Sequence, residues 1–194
     1  MKRLHFLTLI VLAFTFIAEL SSPALAQKDK VRKSLKASVT QTLGVDTEIT
    51  FEFSRPGVKG RTIWGDIVPY GMYPGNKYSK DKPYPWRAGA DENSTIEFNK
   101  DILVEGNKLP AGKYGIHMIP SKKEWTVIFS KKNEEWGSYS YDEKEDALRI
   151  TVIPENATHQ EWLTYGFDNL EGKSALAFLH WEKLKIPFNI SVVE

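Results

Sequence analysis

Charged side chains that could bind a ligand are concentrated in an irregular stretch of the sequence between residues 54 and 98. The candidates are Arg55, Lys59, Arg61, Arg87, Asp91 and Glu92. A guanidinium group can donate two parallel hydrogen bonds to a carboxylate or a phosphate, so the pattern predicts a charged cleft for an anionic group. The alternative is that these residues form ion pairs that tie an irregular loop to the domain, with Arg87 paired to Glu92 or Glu52.

Aromatic side chains lie in the same stretch and could supply a second kind of contact. Five occur within 17 residues: Tyr70, Tyr73, Tyr78, Tyr84 and Trp86. Amphipathic rings can stack on sugars or form a protein-binding surface, and Tyr70 and Trp86 are the candidates here. The alternative is that the loop packs its own rings onto the domain. The other five tryptophans lie in or beside predicted strands and are predicted to be core residues: Trp64, Trp125, Trp136, Trp162 and Trp181.

His117 could bind a metal or act as a base together with Asp91 or Glu92. It lies on the polar face of its predicted strand, which indicates a surface histidine instead. The sequence contains no metal-ligand spacing of histidines or cysteines, so neither a metal ion nor a cofactor is predicted. It also contains no G-x-S-x-G nucleophile elbow, no glycine-rich phosphate loop and no EF-hand loop, and it assigns no catalytic residue.

Alternating apolar and polar residues over most of the remaining sequence predict half-buried β-strands. The clearest alternation covers residues 184–192, where Pro187 indicates an edge strand. Residues 175–181 are apolar on both faces and predict a central strand, whereas residues 141–147 predict one helical turn or a short helix. About nine or ten short strands separated by turn residues predict an all-β fold with very little helix. The expected architecture is a single jelly-roll-like β-sandwich, with a closed β-barrel as the alternative.

The N-terminus has the pattern of a secretory signal. A basic pair, Lys2-Arg3, precedes an apolar run. Ala24 and Ala26 provide the small residues that signal peptidase reads, so cleavage is predicted between Ala26 and Gln27. The apolar run is shorter than the ~20 clean residues of a membrane span, which disfavours a membrane anchor. The predicted organisation is a signal peptide at residues 1–26, a polar leader at 27–35 and one domain at 36–194, in a periplasmic or secreted protein.

The composition of the predicted mature chain excludes several classes of function. Its 168 residues suit one domain, and its 24 basic and 24 acidic residues balance. A neutral domain has no overall attraction to nucleic acid or to an anionic membrane, so recognition of charge must come from a local cluster. The absence of cysteine excludes disulfides and an N-terminal lipid anchor, and no later segment is long and apolar enough to span a membrane.

Five motifs spread over the chain recur together in one known family. They are S-R-P-x-x-K-G-R-x-I-W-G from Ser54, V-P-Y-G from Val68, W-R-x-G-A-x-E from Trp86, L-P-A-G-x-Y from Leu109, and W-G-x-Y-x-Y-D from Trp136. The combination resembles the exported bacterial family catalogued as domain of unknown function 2911, which is abundant in Bacteroidota.

The resemblance covers residues 36–193 and implies a secreted or periplasmic β-rich domain, without an assigned reaction, substrate or catalytic residue. The sequence departs from the family pattern by an insertion at residues 72–85. It also carries Ala88 and Asp91 where the family usually has threonine and asparagine.

Three hypotheses for function follow. The leading one is a non-catalytic ligand-binding or envelope-associated module that uses the surface of residues 55–95 and recognises a glycan or another envelope component. The second is a hydrolase-like enzyme with Arg87, Glu92 and His117 at its site, which requires these side chains to meet in one concave pocket. The third is a purely structural or assembly role.

Overall fold

The period-two alternation of the sequence is found as β-strand throughout the computed structural model, which describes residues 31–193. The predicted signal peptide lies outside the described residues. The strands are β1 (Leu35–Leu43), β2 (Thr47–Arg55), β3 (Ser94–Phe98), β4 (Ile102–Val104), β5 (Asn107–Leu109), β6 (Gly112–Ile119), β7 (Trp125–Ser130), β8 (Asp146–Val152), β9 (Glu155–Asp168) and β10 (Ser174–Val192). The predicted helical turn is a 3₁₀ turn at Glu143–Glu145. Within residues 31–193 no helix has the length and apolar character needed to cross a membrane.

The strands form two separate antiparallel sheets. The first has six strands in the order β1-β2-β3-β6-β7-β8, and the second has four in the order β5-β4-β10-β9. Because the two sheets are distinct and pack face to face, the predicted sandwich is confirmed, and the closed barrel is not what the chain forms.

The core lies between the inner faces of the two sheets. Phe51 on β2 stacks on Tyr165 of β9, with the ring centroids 4.8 Å apart. Phe188 on β10 meets Phe51 edge-on at 6.3 Å and Phe129 of β7 at 5.9 Å. All four rings are buried. Each such ring contributes roughly 1.5–3 kcal/mol by leaving water, so this cluster holds the two sheets together.

Strand β10 corrects the prediction of a C-terminal edge strand. It is a continuous strand of 19 residues that lies between β4 and β9. Its pairing with β9 ends at Lys185, and its pairing with β4 begins at Ile190. Pro187 lies between the two ladders, so its missing N–H removes no ladder hydrogen bond. This is how a proline fits into an interior strand.

A segment after β7, residues 131–142, covers part of the outer face of the six-stranded sheet. It approaches closely because Gly115 has no side chain: a Cβ there would lie 2.3 Å from the carbonyl oxygen of Lys132. Beneath the segment, His117 of β6 pairs in register with Ile128 of β7, and both are fully buried. The sheet is therefore covered on both faces at this point, and the covering segment forms part of the site described next.

Candidate functional site

Trp86, the residue before Arg87, is hydrogen-bonded through its backbone to the six-stranded sheet. Its N–H donates to the carbonyl of Met118 at 2.9 Å, and its carbonyl accepts from the N–H of Met118 at 2.8 Å. The indole is only 3% exposed and stacks on Trp181 of β10 at 6.0 Å. Trp86 is therefore a buried anchor that forms an inner wall of the site, and it places Arg87 immediately beyond the sheet.

The loop after Arg87 has an unusual backbone that its neighbours hold in place. Ala88 and Asp91 have φ angles of +51° and +61°, in the left-handed region that disfavours side chains. The carbonyl of Ala88 accepts hydrogen bonds from the hydroxyls of Tyr165 and Ser94, each at 2.9 Å. Strained backbone of this kind persists only where the surroundings over-determine it, and it concentrates at functional sites.

The Arg87 side chain is not ion-paired in the way the sequence suggested. Its Nη1 donates to the backbone carbonyl of Asp91 at 2.6 Å, and its Cζ lies 5.2 Å from the ring centroid of Tyr139. The two expected partners are engaged elsewhere. Glu92 pairs with Lys36 at 3.3 Å, and Glu52 pairs with Lys113 at 2.6 Å. The prediction of an Arg87–Glu92 or Arg87–Glu52 tether was therefore wrong.

Arg87 lines a cavity of about 660 Å³, which we call the cationic cleft. Its charged lining residues are Lys33, Lys59, Arg61, Arg87 and Asp91. Its aromatic lining residues are Tyr73, Trp86 and Trp181. Positive charge thus exceeds negative charge in a concave site with a partly apolar wall, an environment suited to a small anionic ligand.

The cations of the cleft contact backbone carbonyls and aromatic rings. Arg61 donates to the carbonyls of Val58 at 3.1 Å and Gly57 at 2.6 Å, and the Nζ of Lys59 lies 5.2 Å from the ring centroid of Trp162. Among residues 31–193, no carboxylate lies within ion-pair distance of Lys59, Arg61 or Arg87. Their charge is therefore not neutralised within the described part of the chain.

Four of the nine predicted site residues do not line the cationic cleft. Arg55 is a structural link, because its Nε donates to the carbonyl of Leu163 on β9 at 2.9 Å. Tyr70 lies over Gly65, where an added Cβ would be 3.0 Å from the ring, and it is exposed. Glu92 lines a different cavity, and His117 lies behind the site. The structure brings together Lys59, Arg61, Trp86, Arg87 and Asp91.

His117 is fully buried, which corrects the prediction of a surface histidine. It does lie on the outer face of the sheet, but the covering segment shields it from water. Its Nδ1 is 2.7 Å from the hydroxyl oxygen of Ser138, and its buried Nε2 has no hydrogen-bond partner among the described residues. Burial and the nearby Arg87 charge lower the pKa of His117 to about 4, so its ring is neutral at pH 7. Because Ser138 is also buried, the pair is closed to a substrate.

Tyrosines of the inserted segment pack beside Arg87 and leave little ring surface for stacking. Tyr73 and Tyr84 stack at 5.2 Å, and Tyr84 meets Tyr139 edge-on at 5.1 Å. Burial raises the pKa of Tyr73 to about 12, against the opposing effect of the Arg87 charge. Tyr78, which lies 5.5 Å from Tyr139, remains exposed. The loop therefore packs most of its rings onto the domain, as the alternative interpretation predicted.

The tryptophan predictions were correct for some positions and wrong for others. Trp125 and Trp181 are buried in the core, and Trp64 is partly buried beside them. Trp136 and Trp162 were predicted to be core residues but are 62% and 40% exposed. Trp136 lies in the covering segment after β7, and Trp162 occupies an outward position of β9, so neither side chain is enclosed between the sheets.

Sequence reasoning missed the contribution of the covering segment. Gly137, Ser138 and Tyr139 contact Arg87 or His117, yet none was a candidate. The signal was present in the W-G-x-Y-x-Y-D motif, which recurs with the Trp86-Arg87 motif in the family that the sequence resembles. Among the described residues, no three His, Cys, Asp or Glu side chains lie close enough together to hold a metal ion.

Comparisons with known proteins identify a family and no individual relative. A search of curated proteins and a search of solved structures each found no match. The profile of the family described as "Protein of unknown function (DUF2911)" matches residues 34–190, which include all five motifs and both sheets except the last two residues of β10. The chain therefore belongs to the DUF2911 family.

Proposed function

We propose that this domain is a non-catalytic binding module whose cationic cleft takes an anionic glycan, one that carries carboxylate or phosphate groups. The observation that carries the proposal is the set of cations at Lys59, Arg61 and Arg87, which share the cleft without a carboxylate partner in residues 31–193. Like charges held together repel one another, and an anionic ligand would offset that repulsion.

Arg87 has donors available for such a ligand. One of its nitrogens, Nη1, donates to the Asp91 carbonyl. The other two make no hydrogen bond within the described part of the chain, so the guanidinium of this half-buried residue keeps donors for a ligand. A planar guanidinium held by its neighbours loses little conformational entropy when it donates two bonds to a carboxylate or phosphate.

The rest of the cleft supports a glycan as the carrier of the negative charge. The volume of about 660 Å³ lies within the range of sites for small molecules. Tyr73, Trp86 and Trp181 form a partly apolar wall, but Trp86 is only 3% exposed, so recognition relies on the charged groups of the cleft and not on ring stacking. The predicted export of the protein, which is itself a proposal, would place the cleft among acidic and phosphorylated glycans of an envelope.

The geometry favours binding over the hydrolase-like alternative. That alternative needs Arg87, Glu92 and His117 in one pocket. Glu92 instead lines the neighbouring cavity with Lys36, and His117 is buried beneath the covering segment. The binding proposal uses only side chains that line the cleft itself.

Isothermal titration calorimetry with matched ligands tests the proposal. The probes are trigalacturonate, its fully methyl-esterified form, and a mannose oligosaccharide that carries one phosphate. We expect binding of at least one charged probe and at least tenfold weaker binding of the ester, because the ester keeps the sugar rings but lacks the charge. Equal affinity for acid and ester, or no binding of either charged probe, would contradict the proposal.

A further inference from the structure

A second cavity, of about 570 Å³, lies on the outer face of the six-stranded sheet, and we call it the Trp136 groove. Its floor crosses three strands, because Ser38 of β1 pairs in register with Glu52 of β2, and Glu52 pairs with Thr95 of β3. Residues 133–136 of the covering segment line the groove as well. Asp91 lines the cationic cleft and Glu92 lines the groove, so the two cavities are neighbours.

Three buried polar atoms of the residues that line the groove lack a partner within residues 31–193. They are Nδ2 of Asn93, Oγ1 of Thr95 and Oε2 of Glu135. Asn93 and Thr95 are each more than nine-tenths buried. A buried polar atom without a partner is costly, by about 1–3 kcal/mol, and most structures contain few of them. Three such atoms beside one cavity make its lining polar, so a hydroxyl group bound in the groove lies among hydrogen-bonding side chains.

The groove also presents a large aromatic surface. Trp136 lines it and is 62% exposed, the most exposed tryptophan of the described residues. An indole face beside hydrogen-bonding groups matches the two-sided chemistry of a sugar, whose C–H faces pack on rings while its hydroxyls donate and accept.

The charge of the groove differs in sign from that of the cationic cleft. Its charged lining residues are Lys36, Lys113, Glu52, Glu92, Glu134 and Glu135. Both lysines are paired, with Glu92 at 3.3 Å and Glu52 at 2.6 Å, and Glu135 is paired with Lys132 at 3.4 Å, so Glu134 is the lining carboxylate without an ion pair in residues 31–193. This negative charge disfavours an anion, whereas uncharged hydroxyl groups can donate to the carboxylate oxygens.

We propose that the Trp136 groove is a separate binding site for an uncharged sugar residue, which stacks on Trp136 and hydrogen-bonds to the polar groups around Asn93 and Thr95. This site is independent of the anionic ligand in the cationic cleft. It would let the domain recognise neutral glycans, or neutral residues next to an acidic one.

The test measures binding of neutral oligosaccharides to the purified protein, with tetrasaccharides of glucose, mannose and N-acetylglucosamine as probes. We expect at least one to bind with a Kd of about 1 mM or tighter. Trp136→Ala should weaken that binding at least tenfold, and Trp162→Ala, which removes another exposed indole outside the groove, should change it less than twofold. Raising the salt concentration should leave the affinity unchanged, because no charge is recognised.

Thr95→Val gives a second readout that a fold defect would not mimic. Valine keeps the shape of threonine and removes the unpartnered hydroxyl, so the free energy of unfolding should stay the same or rise while sugar affinity falls several-fold. Neutral-sugar affinity should be unchanged in the presence of saturating trigalacturonate, which separates this site from the cationic cleft. The proposal is overturned if none of the tetrasaccharides binds, if Trp136→Ala and Trp162→Ala weaken binding alike, or if Thr95→Val has no effect on affinity.

Discussion

The guanidinium group of Arg87 lies directly against the backbone of Gly137. A Cβ added at Gly137 would be 2.5 Å from Cζ of Arg87, far inside contact distance. Two residues further on, the ring of Tyr139 contacts the same guanidinium. The orientation of Arg87 therefore depends on a segment that lies about fifty residues later in the chain, and this dependence can be tested.

Substitution of Gly137 by alanine should displace Arg87. Gly137 has a φ of +77°, and Gly106, with a φ of +74°, has no heavy atom within 4 Å of an added Cβ. Both Gly137→Ala and Gly106→Ala should lose about 1–2 kcal/mol from backbone strain. Only Gly137→Ala should also weaken binding of an acidic ligand. Denaturant unfolding and calorimetry on both variants check this, and equal effects on affinity would mean that the Arg87 contact has no role.

Burial of His117 should make stability depend on pH. Its pKa is about 4 in the folded protein, below the ordinary value of 6.5. Between these values the unfolded chain binds more protons than the folded one, so the free energy of unfolding falls as the pH falls from 6.5 to 4. The contribution is about 3 kcal/mol over this range.

Urea unfolding of wild type and His117→Gln across this pH range measures the effect. Glutamine keeps a polar group beside Ser138 but does not titrate, so the loss of stability on acidification should be smaller in the variant. His159→Gln is the control, because His159 is exposed beside Glu161. If His117→Gln and wild type lose the same unfolding free energy between pH 6.5 and 4, protonation of His117 does not destabilise the folded protein. The imidazole would then be accessible to water and not buried.

Phe188 should be among the most sensitive core positions. It is 1% exposed and meets rings of β2 and β7, so Phe188→Ala should cost roughly 3–5 kcal/mol through lost burial and the cavity left behind. Ile153→Ala, at an exposed position, should change stability by less than about 0.5 kcal/mol. Chemical denaturation of the two variants gives both values. If Phe188→Ala lowers the free energy of unfolding as little as Ile153→Ala does, Phe188 is not a core residue.

Export remains a prediction from the N-terminal sequence. The small residues at Ala24 and Ala26 should direct cleavage, so the mature chain should begin at Gln27. Intact-mass measurement of protein from the periplasm or the medium should show the loss of 26 residues. Recovery of the full-length chain with residues 1–26 attached would refute the cleavage.

The fold could be predicted from the sequence because its strands follow local alternation. Apolar residues occupy every second position of β2 and of the C-terminal part of β10. Two of them, Phe51 and Phe188, are buried as expected. Pro187 was misinterpreted because a sequence does not show where one ladder ends and another begins. The same strand pairs with two different neighbours, and the proline lies between them.

The candidate site could be predicted only in part. Lys59, Arg61 and Arg87 are close in sequence and line one cleft, so the sequence could predict that they lie together. The burial of His117 depends on a distant segment that packs where Gly115 leaves room, and period-two alternation carries no information about such a cover. The separation of Asp91 from Glu92 into two cavities likewise follows from the loop backbone, with its φ of +61° at Asp91.

Affinity for an acidic sugar in Arg87 variants tests most directly whether an anionic glycan binds the cleft cations, which have no carboxylate partner within residues 31–193. Trigalacturonate is titrated into wild type, Arg87→Ala, Arg87→Lys and Lys122→Gln, where Lys122 is an exposed lysine that lines neither cavity. Hydrogen bonds to charged groups contribute about 1.5–3 kcal/mol, so both Arg87 variants should bind at least tenfold more weakly. Lysine should not rescue binding, because it lacks the planar fork.

Melting temperatures of the same four proteins complete this measurement. Arg87 has no carboxylate partner in the described residues, so Arg87→Lys should melt within a few degrees of wild type while its affinity falls. Lys122→Gln should match wild type in both respects. The opposite pattern, with affinity for trigalacturonate unchanged in Arg87→Ala and Arg87→Lys while both melt well below wild type, would show that Arg87 stabilises the fold and does not bind the glycan.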